Sequence, residues 1–377
     1  MKKNAAAYEP DLAGSYNNVG AFYYEQGQPE KAEKYYLDAI EIYERLVEKN
    51  ADAYEPYLAT SYNNVGAFYA ILGQTGKAEK YYLAAIEIQE RLVEKNAEAY
   101  EPALAGSYNN AGNFYSDQGQ SDKAEKYYLD AIEIYERLVE KNADAYEPDL
   151  AGSYINAGNF YKKQGQLKKA EKYYLAAIEI RERLVKKNAE AYEPVLAGIY
   201  NIAGIFYKNQ GQPEKAEKYY LAAMEIKERL VEKNAYAYEP DLAGSYSAAG
   251  GFYDNQGQPS KAEKYFLAAI EIYECLAKKN ADAYEPDLAD SYDRAGAFYF
   301  YQSQSKKAEK YYLAAMEIYE RLVKRNPDAY EPALATIYIS YYLLKEDKTY
   351  LDKAYEIAKR RQDNPRCKTI VEFVESH

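Results

Sequence analysis

The chain has little of the residues on which most protein chemistry depends. It contains one histidine, two cysteines and no tryptophan among 377 residues. The single histidine, His377, is the last residue, so histidine-based catalysis and ordinary zinc sites lack their usual residue. Cys275 and Cys367 lie far apart and match no metal or disulfide spacing, which is typical of a reducing compartment. We therefore expect no catalytic site, no metal and no cofactor.

Long hydrophobic runs are also missing. The longest apolar stretches are only a few residues, which predicts no membrane span. Lys2 and Lys3 near the start are not followed by an apolar region, which predicts no signal peptide and hence a cytoplasmic protein. The net charge of −12 argues against non-specific binding of nucleic acid.

What the chain does have is repetition. The tetrapeptide Ala-Tyr-Glu-Pro occurs in eight copies at a spacing of 46 residues, with the tyrosines at Tyr8, Tyr54, Tyr100, Tyr146, Tyr192, Tyr238, Tyr284 and Tyr330. A fixed period of this size indicates a solenoid, in which each unit buries its apolar face on its neighbours. The sequence predicts a single domain over residues 1–377, with copies one to eight beginning near 8, 54, 100, 146, 192, 238, 284 and 330.

Each copy reads as two helices. In copy one, Pro10 is predicted to open the first helix and Gly27 to end it in a left-handed conformation. Pro29 is predicted to open the second helix, which ends near Asn50. The expected lengths are about 17 and 21 residues. Glu41 and Arg45 form an expected i,i+4 pair, which recurs in most copies.

Within these helices the residues carry a resemblance to a known family. The pattern in copy one consists of Tyr16, Val19, Gly20, Tyr23, Ala32, Tyr36 and Ala39. It resembles the tetratricopeptide repeat, and the extended unit is similar to the long, kinesin-light-chain type of bacterial repeat. The resemblance covers nearly the whole chain. It implies an all-α, right-handed α-solenoid superhelix of about eight antiparallel helix pairs.

The two ends of the array differ. Tyr342 in copy eight replaces the small residue of the pattern, and the segment 364–377 is predicted to form a C-terminal capping helix. No equivalent cap precedes Tyr8. The N-terminal end is therefore a domain edge, a stacking surface or a first helix that tolerates exposure.

Asparagine recurs on the first helices, which the resemblance places on the inner surface of the superhelix. The candidate peptide-binding asparagines are Asn17, Asn18, Asn63, Asn64, Asn109, Asn110, Asn156 and Asn201, with Asn113 and Asn159 one turn further along. Such a row resembles the asparagine ladder with which several family members hold an extended peptide. A carboxamide offers both a donor and an acceptor, which matches a peptide backbone. The alternative is that these side chains only decorate a solvated face or bond within their own helix.

Lysines cluster in the middle of the same surface. Copy four is the only copy with a net positive charge, and the candidate ligand-binding cations are Lys162, Lys163 and Lys208. They favour a partner with an acidic stretch or a free carboxylate. A solvated lysine face is the alternative interpretation.

Small residues in copy six suggest a pocket. Ser247, Ala248 and Gly251 leave space, and Ile205, Phe300 and Tyr301 are the expected walls for one bulky apolar side chain. The competing interpretation is local softness, because Gly250 and Gly251 weaken a helix by roughly 1 kcal/mol each.

The function that these features favour is a scaffold that binds a protein or peptide in a concave groove. The alternative is a sensor or regulatory module of a larger signalling, protease or defence protein. A self-assembling structural protein and an enzyme are less favoured. We expect protein or peptide partners rather than nucleic acid or membrane, and the sequence indicates no oligomeric state.

Overall fold

The computed structural model describes residues 5–375, with side chains from Tyr8 onward. These residues form seventeen α-helices and no strands. The helices are α1 Ala5–Glu25, α2 Pro29–Lys49, α3 Ala51–Ile71, α4 Thr75–Lys95, α5 Ala97–Asp117, α6 Ser121–Lys141, α7 Ala143–Lys163, α8 Leu167–Lys187, α9 Ala189–Asn209, α10 Pro213–Lys233, α11 Ala235–Asn255, α12 Pro259–Lys279, α13 Ala281–Tyr301, α14 Ser305–Arg325, α15 Pro327–Lys345, α16 Lys348–Arg360 and α17 Pro365–Glu375. The prediction of an all-α array of tandem helix pairs is confirmed. None of these helices is long and apolar enough to cross a lipid bilayer.

The chain divides into two compact units, one ending at Tyr192 and the other beginning at Glu193. Within each unit the two helices of a copy pack on each other, and the second helix also packs on the first helix of the next copy. Consecutive first helices contact one another as well, for example α5 with α7 and α11 with α13. The prediction of one domain over the whole chain stays a prediction.

The predicted start of the first helix is wrong. Pro56 lies inside α3 rather than at its opening, and α3 begins at Ala51. The reason is a side-chain cap, because the Asn50 carboxamide oxygen accepts a hydrogen bond of 3.2 Å from the backbone N–H of Ala53. Proline near the start of a helix forfeits only one backbone bond, which the cap helps to offset. In copies one to seven the first and second helices are therefore both 21 residues long, whereas those of copy eight are 19 and 13 residues long.

The turn between the two helices of a copy agrees with the prediction. Gly27 has φ +68°, and the N–H of Gln28 donates to the carbonyl of Tyr23 at 2.9 Å. This is the Schellman arrangement that ends a helix at a left-handed residue. Ser303 takes the place of this glycine in copy seven and is held at φ +57°. A side chain other than glycine is strained in this left-handed region.

The repeated small residue of the pattern lets the paired helices approach. A Cβ atom placed on Gly112 of α5 would lie 2.8 Å from the ring of Tyr128 on α6, and Gly250 stands in the same relation to Phe266 at 2.7 Å. Contacts this short do not occur for real Cβ atoms. A larger residue at either position would force the ring or the helix to move.

The glutamate of Ala-Tyr-Glu-Pro is part of an ion pair that the sequence analysis missed. Glu101 is buried, and its carboxylate lies 2.7 Å from the guanidinium of Arg137 on the second helix of the same copy. The predicted i,i+4 partner, Glu133, is more distant from Arg137 at 3.9 Å. The tetrapeptide therefore fixes the start of each first helix to the end of its partner helix.

The C-terminal end is covered as expected. Helix α17 packs on α15 and α16 and buries Cys367 and Ile370. Val371, Phe373 and Val374 are half-buried on the same helix. The last two residues of the predicted cap, 376 and 377, lie outside the described residues.

Candidate functional site

The paired asparagines of the first helices face two different environments. The second residue of each pair, Asn18, Asn64 or Asn110, is exposed, and Asn156 is half-exposed. We call these four side chains the asparagine row. All four lie in the first unit. In the second unit the same position holds Ile202, Ala248 and Arg294.

The first asparagine of each pair is used inside the protein. Asn17 donates from its carboxamide nitrogen to the hydroxyl of Ser61 at 2.8 Å. The same bond to the next copy is made by Asn63 to Ser107 at 2.5 Å, Asn109 to Ser153 at 2.8 Å and Asn201 to Ser245 at 3.0 Å. The four carboxamide oxygens are buried. These asparagines therefore join neighbouring copies and present little polar surface to a ligand.

Sequence reasoning missed the serine partners, although a signal for them exists. A serine lies 44 residues after each of these asparagines. Where Ile155 replaces the asparagine, Ile199 replaces the serine. Joint replacement of two positions at a fixed separation indicates that they are matched to each other.

A polar cleft of about 200 Å³ opens between α5 and α7. Its lining consists of Asn113, Ser116, Asp117, Tyr128, Asn156, Asn159, Phe160 and Lys163. The Tyr128 hydroxyl donates to the carboxamide oxygen of Asn113 at 2.7 Å, and Tyr174 does the same for Asn159 at 2.8 Å. Because the oxygens are fixed in this way, the NH₂ groups of Asn113 and Asn159 remain as donors. Three of the predicted asparagines thus meet in one cleft.

The predicted cations differ in their exposure and in the contacts that they already make within the protein. Lys163 donates to the backbone carbonyl of Ser116 at 3.0 Å and lies 3.4 Å from the carboxylate of Asp117. Lys162 is exposed beside it, whereas Lys208 is half-buried in the second unit. Lys163 is therefore anchored to the preceding copy, and Lys162 is the cation that is more available to a partner. The preference for an acidic partner stays a prediction.

The cavity in copies six and seven differs in composition from the predicted apolar pocket. It has a volume of about 220 Å³ and is lined by Gly244, Ser247, Ala248, Tyr273, Asp287, Asp290, Ser291 and Arg294. It includes Ser247 and Ala248 of the predicted set. The other predicted residues do not line it. Gly251, Phe300 and Tyr301 lie further along α11 and α13, and Ile205 is on α9, which contributes no lining residue. Charged groups surround the space, so a polar group suits it better than an apolar side chain.

Asp293 occupies, in copy seven, the place of the bonded asparagine. The residue 44 positions later, where other copies have the bonded serine, is Ile337, which has no hydroxyl group. One carboxylate oxygen is buried without a hydrogen-bond partner among the described residues. Burial, together with the nearby charge of Asp290, raises the pKa of Asp293 to about 6.

Comparison with protein families accounts for most of the chain. Profiles described as tetratricopeptide repeat match residues 57–137, residues 12–50, 150–188 and 288–328, and residues 197–229 and 243–274. No curated protein matches the chain.

Several solved structures share the fold. One is a signal transduction ATPase with numerous domains, carrying a tetratricopeptide repeat sensor, from Pyrococcus horikoshii; it is 16% identical, with a TM-score of 0.57, and the match covers 100% of this chain and 56% of that one. Aspartyl phosphate phosphatase F from Bacillus subtilis is 19% identical, with a TM-score of 0.54 and coverage of 84% and 72%. BtubC from P. vanneervenii is 23% identical, with a TM-score of 0.51 and coverage of 64% and 88%. At these identities the likeness extends to the fold alone.

Proposed function

Because the chain belongs to the tetratricopeptide repeat family, we propose that this interaction scaffold holds an extended segment of a partner protein on its first helices. The observation that carries the proposal is the asparagine row. Four consecutive copies present a carboxamide at the same position. In three of these copies the adjacent asparagine is hydrogen-bonded to a serine of the next copy. The pattern therefore separates side chains that build the array from side chains that are free to bind.

The chemistry of the row suits a peptide backbone. Each carboxamide can donate to a backbone carbonyl and accept from a backbone N–H, so the row binds the main chain and tolerates different side chains. Asparagine is unfavourable in the middle of a helix, which makes its recurrence at an exposed position costly without a ligand. Binding to a neutral backbone requires no complementary charge.

The cleft between α5 and α7 supplies the proposed selectivity. Donors from Asn113 and Asn159 lie beside Lys163, and Lys162 lies next to it in the chain. The two amide donors, with Lys162 as the more available cation, favour a carboxylate, either an acidic side chain or the end of a chain. A cleft of about 200 Å³ accommodates a group of that size.

The experiment compares the two asparagines of each pair. Linear peptides selected from a displayed random library provide the ligand, and calorimetry gives the affinity. The triple variant Asn64→Ala, Asn110→Ala and Asn156→Ala should lose about 1 kcal/mol for each missing bond, roughly a hundredfold or more in total. The matched control Asn17→Ala, Asn63→Ala and Asn109→Ala should lower stability and retain affinity. Equal affinity in the first variant and the unaltered chain would refute the proposal.

A second candidate function is the sensor module of a larger protein, and one observation favours it. The whole chain aligns with a part of the Pyrococcus horikoshii protein, whose tetratricopeptide repeats are described as a sensor. In this case an effector domain should be encoded in the same reading frame. Sequencing the complete transcript tests this, and a transcript without such a domain excludes it. In either case we assign the chain a binding role in the cytoplasm and no catalytic one.

A further inference from the structure

One lysine of the second unit is buried without an opposite charge in contact with it. Lys227 of α10 is only 9% exposed, and its ammonium group donates to the hydroxyl of Ser245 at 2.8 Å and to the backbone carbonyl of Asp241 at 3.0 Å. Both acceptors are neutral. Burial lowers the pKa of Lys227, against the attraction of the exposed Asp241 carboxylate. Because a buried charge is costly unless it is paired, this lysine calls for an explanation.

The ammonium group has one hydrogen left for a ligand. A lysine ammonium offers three donors, and the described residues accept two of them. The Ser245 hydroxyl is fully engaged, since it also accepts from Asn201 of α9 at 3.0 Å and donates to the carbonyl of Asp241 at 3.1 Å. These bonds therefore fix the position of the Lys227 charge and do not neutralise it.

The position of Lys227 does not need a charge for packing. Other copies place a neutral side chain there, namely Tyr43, Gln89, Tyr135, Tyr273 and Tyr319. Copy four has a second cation at this position, Arg181, which is also 9% exposed and donates to the carbonyl of Pro148 at 2.7 Å. The Nε atom of Arg181 has no hydrogen-bond partner among the described residues. Cations thus occur at this position in two successive copies, each held by a neutral acceptor.

Side chains at this position reach the groove between consecutive first helices. Tyr273 and Gly244 both line the cavity of about 220 Å³ between α11 and α13. Lys227 holds the same position between α9 and α11, where Gly198 and Gly244 are exposed. A Cβ atom on Gly198 would meet nothing within 4 Å, and one on Gly244 would first meet the Tyr273 hydroxyl at 3.7 Å. The two glycines therefore leave open space on the helices that flank Lys227.

We propose that Lys227 is the charged floor of an anion site between α9 and α11, and that its ligand is a carboxylate of a bound protein segment. One free donor suits a carboxylate, whereas a phosphate group has three strong acceptor oxygens and a higher charge, which several donors would have to match. The carboxylate belongs to an acidic side chain or to the end of a chain. The bound segment is that of the proposed function, but the site lies in the second unit and not on the asparagine row.

Three tripeptides with acetylated amino ends serve as probes of the full chain. The first has a central glutamate and an amidated end, the second a central glutamine and a free carboxyl end, and the third a central glutamine and an amidated end. Nuclear magnetic resonance follows the backbone amides of Gly198 and Gly244 during titration. The peptide with the correct carboxylate should give saturable shifts and bind about tenfold or more tightly than the uncharged peptide, because hydrogen bonds between charged groups are the stronger ones. The tighter of the two carboxylate peptides identifies the source of the carboxylate.

Two variants of α10 show whether Lys227 carries this binding. Lys227→Met should weaken binding of the tighter peptide by about tenfold or more. The variant should remain folded, because an apolar side chain replaces a buried charge, and Lys227→Tyr, which introduces the residue of copy six, is a second variant with the same expectation. The matched control Lys218→Met removes an exposed lysine of the same helix and should leave the affinity unchanged.

Either of two results would overturn the proposal. One is that neither carboxylate peptide binds more tightly than the uncharged peptide. The other is that the Lys227 and Lys218 variants change the affinity equally, which would indicate a general effect of charge. The triple variant Asn64→Ala, Asn110→Ala and Asn156→Ala should leave tripeptide binding unchanged, because its residues lie in the first unit. A negative result with the tripeptides therefore counts against the Lys227 site and not against the asparagine row.

Discussion

Copies three and six use the same two-helix framework and join their parts with different side chains. In copy three, Glu101 is paired with Arg137, and Asn109 is bonded to Ser153. In copy six the arginine position holds Cys275 and the asparagine position holds Ser247. Both copies keep the glycine that an aromatic ring packs against. The framework therefore depends on close helix packing, and the polar joints are adjustable.

The largest effect is expected at Asp293 in copy seven, where a carboxylate replaces the bonded asparagine of copy three. Its pKa is raised from 3.8 to about 6, so the folded state binds a proton more tightly than the unfolded state. This residue's contribution to stability should therefore grow as the pH falls from about 7 to about 4. At roughly 1.4 kcal/mol per pKa unit, the gain is about 3 kcal/mol.

Asp290 opposes the ionised form of Asp293, whereas Arg294 and Arg366 favour it. The variant Asp293→Asn removes the titration, so it should be more stable than the unaltered chain at neutral pH and lose this advantage in acid. Urea unfolding at several pH values measures the difference. Parallel pH curves for the two proteins would contradict the assignment.

The next largest effect concerns the ion pair of copy three. Arg137→Ala leaves the buried carboxylate of Glu101 without its closest cation, which should cost about 2 kcal/mol, less than for a fully buried pair because the arginine is half-exposed. The reverse change in copy six, Cys275→Arg, should add about 1 kcal/mol, since the one cation paired with Glu239 among the described residues is Lys279, at 3.7 Å. Chemical denaturation followed by circular dichroism measures both. A destabilising Cys275→Arg change would show that copy six has repacked around the cysteine.

Two adjacent glycines in copy six allow the effect of close packing on stability to be compared with the effect of helix propensity. Gly250→Ala should destabilise by about 1.5 kcal/mol because its Cβ would lie 2.7 Å from Phe266. Gly251→Ala meets no atom within 4 Å and should stabilise by about 0.7 kcal/mol. Thermal unfolding of the two variants should shift the midpoint in opposite directions. If both shifts have the same sign, close packing does not explain the glycine at position 250.

The effects expected from the hydrogen bonds between copies are about 1 kcal/mol or less. Asn109→Ala removes a bond to Ser153 and should cost about 1 kcal/mol. Ser247→Ala, at the same position of copy six, should cost about 0.5 kcal/mol or less, because burial of a methyl group offsets the loss of a hydroxyl. Hydrogen exchange in α7 and α13 reports each joint locally. Equal loss of protection in the two would mean that Ser247 also links its neighbours.

Much of the fold follows from the sequence because its signals are local. Gly27, Pro29 and the spacing of the apolar residues specify the turn and the second helix without reference to the rest of the chain. The start of the first helix was misjudged because Pro10 and its equivalents resemble an opening residue, whereas the side chain of Asn50 and its equivalents sets the boundary. Asparagine and proline are both signals for a helix start, and which of them marks the first helical residue depends on whether the asparagine side chain reaches the backbone N–H three residues later.

The site could be predicted less completely. The asparagines were identified as a group, but the division between Asn63, which bonds to Ser107, and Asn64, which is exposed, depends on the contact between two first helices. The cavity beside Ser247 was expected to be apolar because Ile205, Phe300 and Tyr301 were the predicted walls of the space left by the small residues. Its lining comes from Asp287, Asp290 and Arg294, which approach from a different helix. Such neighbours cannot be read from spacing along one helix.

The capping asparagine has a consequence for how such a chain changes in length. Asn50 ends α2 and, through its bond to Ala53, begins α3, so one residue forms the entire connection between two copies. One inserted residue either lengthens this connection or is taken up by a neighbouring helix, where it turns the residues beyond it by about 100° and shifts them by about 1.5 Å, so that the interfaces that follow lose their register. Because the connection has no residue to spare, the gain or loss of whole copies preserves these interfaces, whereas a single inserted residue disturbs them. This difference accounts for the period of 46 residues that is kept from Tyr8 to Tyr330.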